Sequence, residues 1–224
     1  MGAGKAMRSD FPGHNAQNMK DLQKRFLEKR DLGVLSALNA GVVGIAGAGG
    51  LGSNAAASLT RAGVGRLIIA DFDRVEVSDL NRQFFFLEQV GKLKVEALAE
   101  NLKKMNPFSA VEIHEARIDR DNVESIFAAA DLLIEALDRA EEKQMLVEAW
   151  LTHFPERPII VASGLAGYGK NNKLRQRRLG NLYICGDETT ECDECTAPMS
   201  PRVAIVANMQ ANLAVELLVK MKSR

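Results

Sequence analysis

Short hydrophobic runs alternate with amphipathic stretches along most of this chain. Apolar runs, several rich in Val and Ile, predict buried strands, and they occupy residues 41–47, 67–70, 111–115, 132–136 and 158–162. Apolar residues at helical spacing predict two short helices within 18–38 and further helices at 53–62, 89–105, 123–130, 141–151 and 202–220. Such alternation is typical of a mostly parallel sheet with helices on both faces. We therefore expect an α/β, Rossmann-like doubly wound fold, with a short antiparallel extension toward the C-terminus in residues 174–184.

The ends of this pattern suggest the domain boundaries. Residues 1–17 are small, polar and rich in turn formers, which predicts a flexible N-terminal tail. Residues 18–224 contain no repeat and no low-complexity linker, so we expect them to form a single domain. No apolar run reaches the length that spans a bilayer, and the N-terminus has no apolar signal core. We therefore expect a cytoplasmic protein with no membrane partner.

Composition and charge exclude some classes of function. The chain has 224 residues, of which 46% are hydrophobic, as is ordinary for a globular protein. Lys and Arg total 29, and so do Asp and Glu. Because a generic nucleic-acid binder needs a basic surplus to displace counterions, we expect no nucleic-acid partner. Three cysteines are too few for a disulfide framework, which favours a reducing compartment.

A glycine-rich turn follows the first predicted strand. Residues 47–52 read GAGGLG and fit the pattern G-x-G-x-x-G, with a strand before them and a helix after them. In such a turn one glycine permits the bend, another lets the backbone approach a phosphate, and the third lets helix pack on strand. Asp71 ends the second predicted strand, where an acid can accept a ribose hydroxyl. These features predict a nucleotide site without identifying the nucleotide.

The sequence downstream of Asp71 argues against the usual dinucleotide. Residues 71–83 read DFDRVEVSDLNRQ, and residues 91–94 read GKLK at the start of a predicted helix. An arginine and a lysine near the phosphates suit the neutralisation of a triphosphate and a pyrophosphate leaving group. A nicotinamide-dependent oxidoreductase has no need of that pair, although it remains an alternative.

These motifs together resemble the ThiF/MoeB/ubiquitin-activating family of adenylating enzymes. The resemblance rests on GAGGLGS, DFDRVEVSDLNRQ and VGKLKVEAL followed by NP, and it covers about residues 40–220. The segments GLAGYG at 164–169 and NLYICGD at 181–187 are similar to the compact ThiF subgroup. Members of that subgroup activate the sulfur carrier ThiS for thiamine biosynthesis.

The resemblance implies a reaction and a set of site residues. It implies that ATP and Mg²⁺ bind, and that the C-terminal Gly-Gly carboxylate of a ubiquitin-like sulfur carrier, ThiS-like here, attacks the α-phosphate and releases pyrophosphate. It also implies a homodimer. The matching positions for catalysis are Arg82, Lys94 and Asp138, with Asp138 also the metal position. The matching positions for the nucleotide are Gly47, Gly49, Gly50, Gly52, Asp71, Asp73, Asn81, Arg82, Gln83 and Lys94.

Several of these residues also have plain structural interpretations. Asp71 could cap a turn, Arg82 and Lys94 could be solvated helix charges, and Asp138 could be the N-cap of the helix that follows it. A non-catalytic protein that binds ATP only to stabilise an interface is a further alternative. So is an enzyme that adenylates a molybdopterin-type carrier or another carboxylate.

The chain departs from the family pattern in two places. Asp79 stands where the family usually has Asn, which places an additional carboxylate near the expected triphosphate. Many relatives carry two C-x-x-C pairs that bind zinc, whereas this chain has one pair, Cys192 and Cys195, and the single Cys185. Because a closed zinc site needs four ligands, we expect no zinc. Cys185 could serve sulfur transfer or simply pack at a strand end.

Overall fold

The computed structural model describes residues 5–6, 16–28, 31–190 and 196–222. The strands of the described residues are β1 Lys5–Ala6, β2 Val42–Ala46, β3 Arg66–Asp71, β4 Ala110–Glu115, β5 Leu132–Glu135, β6 Ile159–Ala162, β7 Arg175–Leu179 and β8 Leu182–Gly186. The helices are α1 Ala16–Leu27, α2 Leu32–Asn39, α3 Gly50–Ala62, α4 Lys94–Met105, α5 Val123–Phe127, α6 Ala140–His153 and α7 Ser200–Lys222. Short 3-10 helices lie at Val77–Asn81, Leu87–Gln89 and Asn171–Lys173.

The strands form one sheet with the order β1-β4-β3-β2-β5-β6-β8-β7. The six strands from β4 to β8 in that order are mutually parallel, whereas β1 and β7 pair antiparallel at the two edges. From β2 the chain builds outward through β3 and β4, and it then returns to place β5 on the other side of β2. A reversal of this kind opens a crevice at the carboxyl ends of the central strands, where ligands bind in open α/β sheets.

Alternate residues of each central strand feed two cores. Leu67 and Ile69 belong to the larger core under α3, α4 and α7, while Ile68 belongs to the smaller core under α5 and α6. This period of two is the pleat of a strand that is buried on both faces. Trp150 and Phe127 are the largest fully buried side chains, and both lie in the smaller core.

Helix α7 corrects one expectation. Its 23 residues have a mean hydropathy of 1.3 over an 18-residue window, so by length and composition it could cross a membrane. The expectation that no segment has this length and composition is therefore wrong. Half of that window is buried inside the protein, where α7 packs on α3. The apolar composition is accounted for by burial, since Val206, Leu213 and Leu218 are at most 1% exposed.

The predicted fold class is confirmed, and the differences concern element boundaries. All five predicted central strands form, and two short helices precede β2. Residues 174–184 contain β7 and most of β8, which pair antiparallel. The helix expected from residue 89 begins at Lys94, because Leu87–Gln89 form a 3-10 helix and Gly91 adopts φ +89°. Most of the predicted tail lies outside the described residues; within it, Lys5–Ala6 pair with β4 and α1 begins at Ala16.

Candidate functional site

One large cavity, of about 1070 Å³, opens at the carboxyl ends of β2, β3, β5 and β6. It receives the glycine turn, the loop after β3, and the first residues of α3, α4 and α6, so several helix N-termini meet there. Their free N–H groups and dipoles favour an anion. Nine of the predicted site residues line the cavity: Gly47, Gly49, Gly50, Asp71, Asp73, Arg82, Gln83, Lys94 and Asp138. Gly52 and Asn81 are not among the lining residues.

The glycines of the turn have different structural tasks. Gly47 has φ +100°, and a Cβ built on it would lie 2.6 Å from the carbonyl oxygen of Ala136. A Cβ on Gly52 would lie 1.9 Å from the carbonyl oxygen of Gly47, so this glycine lets α3 pack on the turn. A Cβ on Gly49 would have only Gln83 Nε2 near it, at 3.8 Å, and would project toward the cavity that Gly49 lines. Gly47 and Gly52 therefore form the turn, while Gly49 keeps its backbone accessible.

Asp71 braces the glycine turn as well as lining the cavity. The backbone N–H of Ala48 donates to its Oδ2 at 2.6 Å, and the N–H of Asp73 donates to its Oδ1 at 2.8 Å. Burial raises the pKa of Asp71 above its ordinary value, although these two hydrogen bonds and the nearby Lys94 oppose the shift. Asp71 thus caps the turn, as its structural interpretation predicted, and its carboxylate also lies at the cavity wall.

Lys94 is a buried cation at the first residue of α4. Its side chain is 9% exposed, and its Nζ lies 3.1 Å from Asp73 Oδ2 and 3.7 Å from Asp79 Oδ2. It is therefore not a solvated helix charge. A cation at a helix N-terminus works against the helix dipole, so the two carboxylates compensate for an unfavourable position. An anion that entered the cavity would add to that compensation.

The unusual Asp79 is held by its own local structure. The N–H of Glu76 donates to its Oδ2 at 3.0 Å, and Gln83 Nε2 donates to its Oδ1 at 2.6 Å. Asp79 is 7% exposed and shares Lys94 with Asp73. Asp79 therefore lines the cavity as a carboxylate that is already hydrogen-bonded and close to a cation.

Arg82 is the less compensated cation. One of its terminal nitrogens donates to the carbonyl oxygen of Ser78 at 3.2 Å and to Asn81 Oδ1 at 2.9 Å. Among the described residues no carboxylate oxygen lies within 4.0 Å of its guanidinium. Asn81 therefore contributes by orienting Arg82 rather than by lining the cavity.

Asp138 presents an exposed carboxylate where the chain leaves β5. Helix α6 begins at Ala140 with Arg139 at the N-cap position, so Asp138 is not the cap. The described part of the chain offers Asp138 no hydrogen bond or ion pair. One exposed carboxylate beside a cavity lined by helix N-termini and cations fits Mg²⁺, which is usually held by one or two carboxylates, substrate phosphates and water. No cluster of three or more candidate metal ligands occurs within the described residues.

A second charged pair at the cavity, Glu135 and Lys143, was not predicted from the sequence. Glu135, at the end of β5, is completely buried, and both of its oxygens accept from Lys143 Nζ at 2.9 Å. Burial raises the pKa of Glu135, while Lys143, which lines the cavity, opposes the shift. The available signal was a carboxylate at the end of an apolar run, with a lysine eight residues later in the first turn of the next predicted helix.

Cys185 lies in β8 and is completely buried. Burial raises the pKa of its thiol to about 12. Because the thiolate is the reactive form, this geometry favours packing over sulfur transfer. Cys192 and Cys195 lie outside the described residues.

Comparison with known proteins places the chain in a family. The chain is 31% identical over 170 residues to the molybdopterin-synthase adenylyltransferase of Salmonella typhimurium, which covers 73% of this chain and 67% of that enzyme. It is 28% identical to adenylyltransferase and sulfurtransferase UBA4 of Lodderomyces elongisporus over 74% of its own length but only 38% of that protein.

A solved structure shows the same fold. The E. coli tRNA N6-threonylcarbamoyladenosine dehydratase TcdA, crystallised with ATP, superposes with a TM-score of 0.81 at 18% identity, covering 94% of this chain and 98% of that one. The sequence model of the ThiF family matches residues 21–224 of this chain. The chain therefore belongs to the ThiF family.

Proposed function

We propose that this protein uses ATP to adenylate the C-terminal carboxylate of a ubiquitin-like sulfur carrier, ThiS-like in kind, and releases pyrophosphate. The observation that carries the proposal is the convergence of the glycine turn, Arg82, Lys94 and Asp138 on one cavity. Relatives named as adenylyltransferases support the reaction type. The segments that resemble the compact ThiF subgroup support the choice of carrier and a place in thiamine biosynthesis.

The charges of the site suit attack by a carboxylate on a phosphate. The attacking group is already ionised at neutral pH, so no general base is needed. The barrier comes from repulsion between anions and from the alignment of the two substrates. Fixed cations reduce the repulsion, and a cavity that binds both substrates improves their alignment. Arg82 has no carboxylate partner among the described residues, so its charge is available to the phosphates. Lys94 would weaken its contacts with Asp73 and Asp79 as it binds the phosphate groups.

The residues present fit both ATP and Mg²⁺. Asp71 would accept the ribose hydroxyls, and the open backbone at Gly49 and the N-terminus of α3 would receive phosphate oxygens. Asp138 would hold Mg²⁺ together with substrate phosphates and water. When bound, that ion supplies charge neutralisation for the pyrophosphate that leaves.

The proposal includes an assembly and a location. We propose a homodimer that works in the cytoplasm, on the strength of the family resemblance and of a composition without a disulfide framework. Size-exclusion chromatography with light-scattering detection tests whether the protein is a dimer.

The decisive experiment is carrier-dependent ATP–pyrophosphate exchange. A ThiS-like carrier, a molybdopterin-type carrier and no carrier are assayed side by side, with Lys104→Ala as the control variant because this exposed lysine lies at the far end of α4. Exchange only with the ThiS-like carrier is the expected result. Exchange only with the other carrier keeps the reaction and changes the substrate. Protein that binds ATP and exchanges with neither carrier contradicts the proposal.

A further inference from the structure

Part of the cavity lining is made of residues without charged side chains. This uncharged wall consists of Ser163, Gly164, Leu165, Thr190, Pro198 and Val203. The cations that suit phosphate, Arg82 and Lys94, come from the segment after β3 and from α4. A substrate with an ionised end and an uncharged, extended body therefore finds matching groups in the same cavity lining, where Val203 lies beside Gly50 and close to Arg82.

The uncharged wall is assembled from three separate stretches of chain. Residues 163–165 follow β6, Thr190 follows β8, and Pro198 and Val203 lie before and within the first turn of α7. Backbone hydrogen bonds join the first two stretches: Asp187 N–H donates to the carbonyl oxygen of Gly164 at 3.1 Å, Glu188 N–H to that of Ser163 at 3.0 Å, and Ala166 N–H to that of Thr190 at 3.3 Å. Gly167 N–H donates to the carbonyl oxygen of Ala197, just before α7, at 3.0 Å. Within the described residues, however, no backbone hydrogen bond connects α7 itself to the other two stretches.

A buried ion pair supplies that connection. Arg202 and Asp187 have side chains 2% and 1% exposed, and an Arg202 terminal nitrogen lies 2.6 Å from Asp187 Oδ2. The other terminal nitrogen of Arg202 donates to the carbonyl oxygen of Gly169 at 2.6 Å. The pair therefore ties α7 both to the segment after β8 and to the segment after β6.

Both carboxylate oxygens of Asp187 accept hydrogen bonds from neighbouring residues. The N–H groups of Thr189 and Thr190 donate to its Oδ1 at 2.9 and 2.8 Å, and the hydroxyl of Thr190 donates to its Oδ2 at 2.6 Å. Burial alone would raise the pKa of Asp187, but these hydrogen bonds hold it well below its ordinary range. The carboxylate is thus a fixed anion around which the backbone at Thr190 folds.

The pair is poorly explained as a stabilising device. Buried ion pairs seldom improve on well-packed hydrophobic residues, because the cost of desolvating both charges offsets their attraction. Arg202 Nε also finds no hydrogen-bond partner within the described part of the chain, which adds to that cost. What the pair provides is a defined geometry for three loops that converge on the cavity.

We propose that Asp187 and Arg202 are positioning residues that hold the uncharged wall in the shape that receives the extended C-terminal segment of the acceptor. This inference rests on the proposed function. It assigns the two residues to acceptor recognition, separately from the nucleotide-binding residues.

The test removes both charges together, since removing one would leave the other buried and unpaired. The variant is Asp187→Asn with Arg202→Met. The matched control is Asp131→Asn with Lys222→Met, because that ion pair joins the opposite end of α7 to the residue before β5. Nucleotide affinity is measured by calorimetry, and KM and kcat for the carrier are measured in the exchange assay.

We expect the Asp187/Arg202 variant to raise the carrier KM about tenfold or more while ATP affinity stays within about twofold of wild type, since small misplacements of a substrate are costly. The backbone amides of Ala166 and Gly167 should exchange with solvent faster. Arg202→Lys should give an intermediate KM, because a lysine can meet Asp187 but cannot also reach Gly169 with fork geometry. The control should match wild type.

Other outcomes separate the two proposals. An unchanged carrier KM in a folded Asp187/Arg202 variant, with wild-type exchange intact, contradicts only the positioning role. An equal loss of ATP and carrier affinity also contradicts it, because the pair would then support the whole cavity. Wild-type protein that binds ATP but shows no exchange with either carrier contradicts the proposed function instead.

Discussion

Arg82 and Lys94 line the same cavity, but their surroundings differ. Arg82 is half-buried and has no carboxylate partner among the described residues, whereas Lys94 is buried beside Asp73 and Asp79. Arg82→Ala should therefore lower exchange about 10²–10³-fold, as the loss of one preorganised charge does elsewhere, with little change in thermal stability.

Lys94→Ala should lower exchange to a similar extent and also destabilise the fold, because Asp73 and Asp79 lose their shared cation. Parallel exchange assays and thermal melts check both variants. Near-normal exchange in both would refute their assignment to the phosphates. Equal melting temperatures would refute the distinction between a free and a buried cation.

Asp71 gives a prediction on pH. Burial raises its pKa, so the folded protein takes up this proton at a higher pH than the unfolded chain does. Protonation therefore stabilises the fold as pH falls through the raised pKa, while it weakens the acceptor that the ribose needs. ATP affinity should fall in that range, and Asp71→Asn should bind weakly at neutral pH with a flatter profile. Nucleotide titrations of both proteins at a series of pH values test this.

At the residue scale, the sequence could indicate only what lies in local motifs. Asp71, Arg82 and Lys94 occupy positions with a chemical reason, and the cavity brings them together. The link between Asp187 and Arg202 was not visible, because each charge looks solvated until the fold buries it against a partner fifteen positions away. The contacts of Asp79 with Lys94 and Gln83 could not be predicted for the same reason.

At the scale of elements, different glycines of the turn at residues 47–52 serve folding and ligand binding. A Cβ on Gly52 would overlap the backbone of Gly47, whereas a Cβ on Gly49 has open space. Gly52→Ala should therefore destabilise the protein strongly. Gly49→Ala should melt near the wild-type temperature but bind ATP less tightly, since the methyl group occupies the cavity. Thermal melts and calorimetry of the two variants form a matched pair, and the reverse ranking in stability would contradict this account.

Strand β8 gives a second prediction. Cys185 is buried between β6 and β7, with its thiol pKa raised to about 12. Cys185→Ala should keep carrier-dependent exchange within about threefold of wild type and lose about 1 kcal/mol of stability from the small cavity. A loss of exchange in a folded variant would instead assign this thiol to the chemistry.

Element types followed well from the hydrophobic pattern, and element ends followed less well. The apolar periodicity around α4 continues backward past its first residue, because Leu87 and Val90 fall near helical spacing. What stops the helix is backbone conformation at Gly91, which leaves no periodic signal. Strand β1 gave no signal at all, since a two-residue pairing at Lys5–Ala6 depends on a partner more than a hundred residues later.

At the scale of the whole molecule, the site exists only because the strand order reverses at β2. The glycine turn and Asp71 come from one half of the sheet, and Asp138 and Ser163 from the other. A ligand that contacts both halves should stabilise the fold by mass action, by about 2.7 kcal/mol at a hundred times its dissociation constant. For a domain of this size that corresponds to a rise in Tm of roughly 5–10 °C.

ATP should produce this rise and NADH should not. A thermal-shift series with ATP, AMP and NADH measures it, and Arg82→Ala should reduce the response to ATP. A clear response to NADH alone would favour the oxidoreductase alternative over adenylation.

Helix α7 runs from the cavity to the opposite side of the protein. Val203, near its start, lines the cavity, and Lys222, at its end, pairs with Asp131, which directly precedes the amino end of the central strand β5. At 1.5 Å per residue the two positions lie about 30 Å apart. A fluorophore or surface tether attached beside Lys222 would therefore leave the mouth of the cavity clear, and this end of α7 is the natural place to immobilise the protein for single-molecule work with its carrier.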